Sequence, residues 1–296
     1  MRTQPHHACA GGGAVLATHP VRPHAPNAKP ARHGSAKPRE NGRFRLARGM
    51  HEVQVLSLRR EGGVDMTEAT ARVVSRPSPS PSLSALDLRA MQFLYLWEDG
   101  APDPSEFANK LRPCIHDASN PFADWYFGDA ETADEIIGEW MERPSSELFL
   151  GRGVVMTDDQ REPMGVVIGM SGKELAACRM ADFAAFCEEI GSGAEADEVF
   201  QQVVTVCREL FPPVEEDVFY IGRVGIASSK RGQGLGRRLV EHTVEVKRRA
   251  GFERFRLDVS SDNAAAVRLY ESLGLKTISR SKSTIAPIEY CAMLLE

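Results

Sequence analysis

The chain has 296 residues, of which 42% are apolar and 26% charged, and carries a formal net charge of -5. That composition supports a sizeable core, in one large domain or two ordinary ones, and excludes a wholly disordered or collagen-like chain. No stretch reaches the roughly 20 apolar residues that a membrane-spanning helix needs. The charge is split unevenly: residues 1–65 hold 11 Lys or Arg against 4 Asp or Glu, so the rest of the chain is acidic. Nucleic acid and membrane are therefore not expected as its partners.

Residues 1–83 lack hydrophobic periodicity and are rich in Pro, His, Gly and Ser. The run Arg76-Pro-Ser-Pro-Ser-Pro-Ser82 reads as an extended linker. Such a segment buries too little apolar surface to offset ordering entropy, and a disordered basic tail is expected. Before Glu40 it is rich in Arg and Ala without an acidic residue, as organellar transit peptides are, and translation from Met50 or Met66 is an alternative. A cytoplasmic location is the default, with import through the tail left open.

Residues 84–296 read as one α/β domain. Ala85–Phe93 begins with strand-like alternation, and an acidic, aromatic stretch follows to Glu142 with a helix predicted at Ala133–Met141. Ser146–Thr157 and Met164–Met170 read as adjacent strands joined by a charged turn. Two helices are predicted at Ala176–Glu189 and Ala196–Leu210, a helical insertion near 174–210 stopped by Pro212 and Pro213. Val218–Ile226 is a strand, followed by a glycine-rich turn and a helix with Leu235, Leu239, Thr243 and Val246 on one stripe. Arg254–Val259 is the next strand, Asn263–Leu273 a short helix, and Lys276–Ser279 and Tyr290–Leu295 close the chain as strands.

The six cysteines have neither zinc-site spacing nor the density of a disulfide scaffold. Reduced, mostly buried thiols are expected, and no metal.

The sharpest local feature is Val224-Gly-Ile-Ala-Ser-Ser-Lys-Arg-Gly-Gln-Gly-Leu-Gly-Arg-Arg-Leu239, a strand running through glycines into a helix. Consecutive N–H groups and a helix N-terminus favour phosphate, and Lys230, Arg231, Arg237 and Arg238 add positive charge in an acidic domain. A P-loop would need Lys followed by Ser or Thr after Gly236, where Arg237 stands. A dinucleotide fingerprint opening at Gly232-Gln233-Gly234 would need a third glycine at Arg237. Neither nucleotide motif fits.

The strand ending at Ile226 with Arg231-x-x-Gly234-x-Gly236 resembles the acetyl-CoA signature of the GNAT superfamily of N-acetyltransferases. Downstream, Asn263, Ala266, Leu269, Tyr270 and Gly274 match that family's Asn-x-x-Ala-x-x-Leu-Tyr-x-x-x-Gly-Phe element, with Leu275 in place of the commonest Phe. The specific match spans about residues 218–275 and is strong. It implies a central mixed, mostly antiparallel sheet flanked by helices, and acetyl-CoA as cosubstrate.

The resemblance also implies roles. Backbone groups of Val224, Gly225 and Ile226 would pair with the pantetheine arm. Amides of Arg231, Gly232, Gln233, Gly234, Leu235 and Gly236 would cradle the pyrophosphate. Asn263 would contact the cofactor near the bend of the arm, and Tyr270 would be the general acid. Asn263 is equally a good N-cap, and Tyr270 equally a core residue. An amide near Ile226 would donate to the carbonyl oxygen during attack by a neutral amine. Many family members carry a Glu on the strand before the signature, but Val218–Ile226 holds no carboxylate. Glu215, Glu216, Asp217 and Asp258 are the nearest, each expected as a solvated or edge charge, and no base is assigned. The expected activity is direct acetyl transfer to a primary amine of a small molecule or protein. A non-catalytic acyl-CoA-binding module of the same fold is the alternative.

Overall fold

The computed structural model describes residues 91–296. The tail expected over 1–83, its histidines, Cys9, the boundary near Ser84 and the start of the strand expected from Ala85 lie outside the described residues. Those residues form one α/β domain around a seven-stranded sheet.

In chain order the elements are β1 (Gln92–Tyr95), α1 (Ser105–Ser119), α2 (Phe122–Phe127), α3 (Ala130–Met141), β2 (Gly153–Thr157), β3 (Pro163–Ser171), α4 (Gly172–Ile190), α5 (Ala194–Leu210), β4 (Phe219–Ile226), α6 (Leu235–Arg249), β5 (Phe255–Ser260), α7 (Ala264–Ser272), β6 (Lys276–Lys282) and β7 (Glu289–Leu295). The sheet order is β1-β2-β3-β4-β5-β7-β6. The β4–β5 pairing is parallel and every other pairing antiparallel. The mixed, mostly antiparallel sheet flanked by helices is therefore as expected.

Local chemistry accounts for the element ends. Asp129 caps α3 by accepting from the Thr132 amide, and Ser171 with Glu174 forms a reciprocal capping box at α4. The central strands are buried on both faces, which explains their near-continuous apolar runs. Val155, Val166, Ile168 and Met170 pack against Leu111, Ile115, Ile137 and Phe186 of the helices on one side. Val154, Met156, Val167 and Ile221 pack against Leu235, Leu239 and Val240 of α6 on the other. On α6 it is Val244 that completes the buried face, while Val246 is only partly buried.

Two expectations are corrected. The strand predicted from Ser146 starts only at Gly153, because residues 146–152 are curled by their own polar groups. The Arg152 guanidinium donates to the carbonyls of Ser146 (2.7 Å) and Pro144 (2.6 Å), and Leu150–Arg152 forms a 3-10 turn. The stretch from Leu94 to Glu142 holds α1 and α2 as well as the predicted α3. α1 lies so close on β4 that a Cβ at Gly225 would sit 2.8 Å from the Cys114 carbonyl oxygen.

The parallel pair at the centre of the sheet is incomplete. β4 and β5 are in register only at Phe219–Phe255 and Tyr220–Arg256, after which the strands separate. On its other side β4 stays paired with β3 as far as Ile226, with a bulge at Gly222 that interrupts the register between Ile168 and Gly169. One edge of β4 is thus left open over its last six residues.

Candidate active site

The glycine-rich turn lies at the end of that open edge. Ser228–Lys230 is a short 3-10 turn, and Gly232 and Gly234 take φ values of +75° and +77°, a left-handed conformation that favours glycine. Gly234 occupies the N-cap position of α6, and a Cβ built there meets no protein atom within 4 Å. Among the described residues, the amides of Gly232, Gln233, Gly234, Leu235 and Gly236 donate to no acceptor. Five consecutive unpaired N–H groups at a helix N-terminus, with open space in front, have the donor geometry that suits a phosphate oxygen.

The backbone of β4 extends this surface. The Ala227 amide donates to the Met164 carbonyl (2.9 Å). By the alternation of an antiparallel ladder, Arg223 and Gly225 direct their backbone groups to β3, and Val224 and Ile226 direct theirs into the gap facing β5. Val224 thus presents both its backbone groups and Ile226 its N–H to the gap, while Gly225 turns its own to β3 and lies against α1. Arg231 turns its side chain away from the turn, its Nε donating to the Ile226 carbonyl (3.1 Å) and its Nη2 to Asp117 of α1 (2.6 Å).

Asn263 is seen as the N-cap of α7, its Oδ1 accepting from the Ala266 amide at 3.0 Å. Tyr270 is buried in the cluster with Leu235, Leu239 and Val259, with Val224 and Ile226 at its margin. Its hydroxyl has no hydrogen-bond partner among the described residues, and burial raises its pKa well above that of an ordinary phenol. Such a group keeps its proton at neutral pH.

A cavity of about 290 Å³ lies on the α1–α5 side of the sheet, lined there by Tyr220, Gly222 and Arg223 of β4, Asp258 of β5 and Tyr290 of β7. Its walls are largely aromatic, including Phe122, Tyr126, Phe183 and Phe211, and Met180 at its edge is strongly exposed. Its polar lining comes from several elements, and of it only Asp258 is singled out by the sequence. Glu147, in the curled segment before β2, accepts from Arg223 of β4 (2.9 Å) and Arg179 of α4 (3.3 Å). Burial alone would raise the Glu147 pKa, but the facing guanidiniums outweigh it and hold it below the usual carboxylate value. The segment is fixed from beneath by Asp182 of α4, which accepts from the Glu147 amide (2.9 Å) and Ser146 Oγ (3.1 Å) and pairs with Arg143.

Asp258 is a further correction. It was expected as a solvated edge charge, yet its side chain is only 2% exposed, paired with Arg256 (3.1 Å) and accepting from Tyr220 Oη (3.1 Å). Glu215, Glu216 and Asp217 are exposed, as expected. Among the described residues all five cysteines are free. Burial pushes the Cys114 thiol up to about 11 and the cavity-lining Cys207 up to about 12, which leaves neither with thiolate character at neutral pH.

Comparison with known proteins gives concordant results. The chain is 38% identical over 81 residues to N-alpha-acetyltransferase 40 of Saccharomyces cerevisiae, covering 25% of this chain and 28% of that protein. It is 47% identical over 51 residues to the ribosomal protein bS18-alanine N-acetyltransferase of Escherichia coli K12, covering 17% of this chain and 34% of that one. The chain thus spans about a third or less of the length of these curated relatives. Among solved structures, an N-acetyltransferase from Staphylococcus aureus Mu50 is similar at a TM-score of 0.48 and 15% identity, over 69% of this chain and all of that one. The model of the acetyltransferase (GNAT) family matches residues 87–275, well over half of the chain. The chain belongs to the acetyltransferase (GNAT) family of acyltransferase enzymes.

Proposed function

We propose that the protein moves an acetyl group from acetyl-CoA directly to a primary amine, and that an α-amine is the acceptor class its site suits best. The carrying observation is the separation of β4 from β5 beyond Tyr220, which leaves β4 with the unpaired amides of Gly232–Gly236 after its C-terminal end and the aromatic cavity at its Tyr220, Gly222 and Arg223. The amides would hold the pyrophosphate, and the open edge of Val224, with the Ile226 N–H, would hold the pantetheine amides. Acetyl-CoA would supply a thioester-activated acetyl group: the new N–C bond forms as the C–S bond breaks, the amine gives up one proton, and the departing sulfur takes one.

In this reading the Ile226 N–H, turned into the gap, stabilises negative charge on the carbonyl oxygen. Tyr270 keeps its proton until the sulfur needs it. Glu147 is already engaged by two guanidiniums that hold its pKa below the usual carboxylate value, which makes it a weak base. An acceptor with a low amine pKa fits that setting: an α-amine near 7.7–8.0 is substantially neutral at physiological pH, whereas a lysine amine near 10.4 is not. The relatives' names, which refer to N-alpha and alanine N-acetyltransferases, support the same choice.

The test is calorimetric titration with CoA, followed by thiol release from acetyl-CoA with two peptides. One peptide has a free N-terminus and no lysine; the other has a blocked N-terminus and one lysine. CoA binding and release with the first peptide alone are expected. No CoA binding would refute the cofactor assignment, and equal release with the lysine peptide would refute the α-amine.

A further inference from the structure

The cavity contains two arginines whose guanidiniums are used very differently. Arg223 is fully committed: it donates to Ser119 Oγ (2.8 Å), the Gly222 carbonyl (2.8 Å) and Glu147 Oε1 (2.9 Å), and its side chain is 15% exposed. Among the described residues Arg179 makes two long hydrogen bonds, Nε to Glu147 Oε2 at 3.3 Å and Nη2 to Tyr220 Oη at 3.4 Å, and is 29% exposed. A guanidinium has five N–H donors, so most of its capacity is unspent. Its plane is nevertheless fixed, because the rings of Phe211 and Tyr220 lie 5.5 and 5.3 Å from Cζ.

The other charges around it are occupied. Glu147 is divided between the two arginines, Asp182 is held by Arg143 and Ser146, and Asp258 by Arg256 and Tyr220. What the cavity offers a ligand is therefore a rigid positive fork beside an apolar wall. That fork repels an ammonium group and matches a carbonyl or carboxylate oxygen.

We propose that Arg179 determines acceptor specificity: its guanidinium receives the carbonyl or carboxylate oxygen borne by the carbon next to the amine, while the aromatic wall takes an apolar side chain. This rests on the acetyl-transfer reading above and adds to it how the acceptor is recognised. The recognised unit is an α-amine with its own carbonyl, as at a peptide N-terminus; a free amino acid offers the same oxygen with a more basic amine.

The test compares three acceptors with the same benzyl side chain: phenylalaninamide, phenylalanine, and 2-phenylethylamine, which lacks the carbonyl. Thiol release is measured as kcat/KM per unprotonated amine, so that the amines' different pKa values cancel. The protein should prefer phenylalaninamide to 2-phenylethylamine by about 10- to 100-fold, the effect of one hydrogen bond to a charged group. Arg179→Gln should bring that ratio close to 1, mainly through KM. The order of phenylalaninamide and phenylalanine then shows whether a peptide carbonyl or a carboxylate is the natural partner. A ratio near 1 in the unmodified protein overturns the proposal whatever the variant does, and so does a ratio that survives Arg179→Gln. Binding of the same compounds by calorimetry reads the preference without turnover. The expected binding order without thiol release would refute acetyl transfer and uphold Arg179.

Discussion

Replacing Glu147 with Gln tests whether the cavity's polar lining is an ion-paired unit. The substitution keeps size and one acceptor oxygen but leaves the guanidiniums of Arg179 and Arg223 facing each other without a counter-charge. Removing one partner of a buried ion pair costs about 3–5 kcal/mol. Glu147 retains 18% side-chain exposure, which lets water screen part of the loss, so about 2–3 kcal/mol is expected. For a domain of this size that lowers Tm by about 8 °C. The pH dependence is more diagnostic. Glu147 titrates lower in the fold than its ordinary value of 4.5, because Arg223 and Arg179 outweigh the effect of burial. Its stabilising contribution is then complete above about pH 4.5 and is lost as pH falls through the folded value. Gln does not titrate, so the gap between the two proteins should be full at pH 7 and should close in acid. Denaturant titration followed by circular dichroism at pH 7, 5, 4 and 3 measures it. A gap below about 0.5 kcal/mol at pH 7, within the range of ordinary surface substitutions, or a gap that does not narrow in acid, would refute the ion-paired reading.

Gly234→Val should lower CoA affinity by calorimetry by at least about 10-fold while the fold survives. The left-handed backbone costs an L-residue about 1–2 kcal/mol, and the side chain enters the open space before the amides; unchanged affinity would exclude the turn as the phosphate site. Tyr270→Phe should reduce turnover by roughly 10²–10⁴ with little change in CoA binding, and an unaltered rate with chemistry rate-limiting would make Tyr270 a packing residue. Gly225→Ala should cost about 2–3 kcal/mol in denaturant unfolding, in the range of core overpacking, since its Cβ would press on the Cys114 carbonyl; a neutral effect would mean that α1 does not bear on β4.

The parts of the fold that could be read in the sequence are those with a local periodic signal. β3, α4, α5, β4 and α6 all fall within a few residues of their expected spans because apolar spacing, caps and Pro212-Pro213 agree there. α1 was missed although Phe107, Leu111, Cys114 and Ile115 recur at helical spacing and are all buried. The interior Pro113 argues against a helix locally, and packing against β3 and β4 overrides it. The strand predicted over Ser146–Thr157 failed for a related reason. Its apolar pattern is real, since Leu148 and Leu150 are buried, but Arg152 and Asp182 bond the backbone there into a turn that no local rule reveals.

The same contrast separates the two halves of the site. The proposed phosphate site is made of successive amides of one turn, so it is a contiguous string of residues, and glycine spacing exposes it. The cavity proposed for the acceptor is built from side chains: Glu147, Arg179, Tyr220, Arg223 and Asp258 come from segments up to 111 positions apart and meet only through the sheet and the curl before β2. Each of them alone looks like an ordinary surface charge or core aromatic. The missing carboxylate on β4 was legible; its consequence was not. With Arg223 on β4, the nearby carboxylate has to come from elsewhere, and Glu147 brings it from the opposite wall, where the demand for charge neutrality fixes it between two guanidiniums. That arrangement turns a strand position without a carboxylate into a positive site with one underused fork. In the proposed transfer, the burden of amine deprotonation would then fall on the acceptor's own pKa.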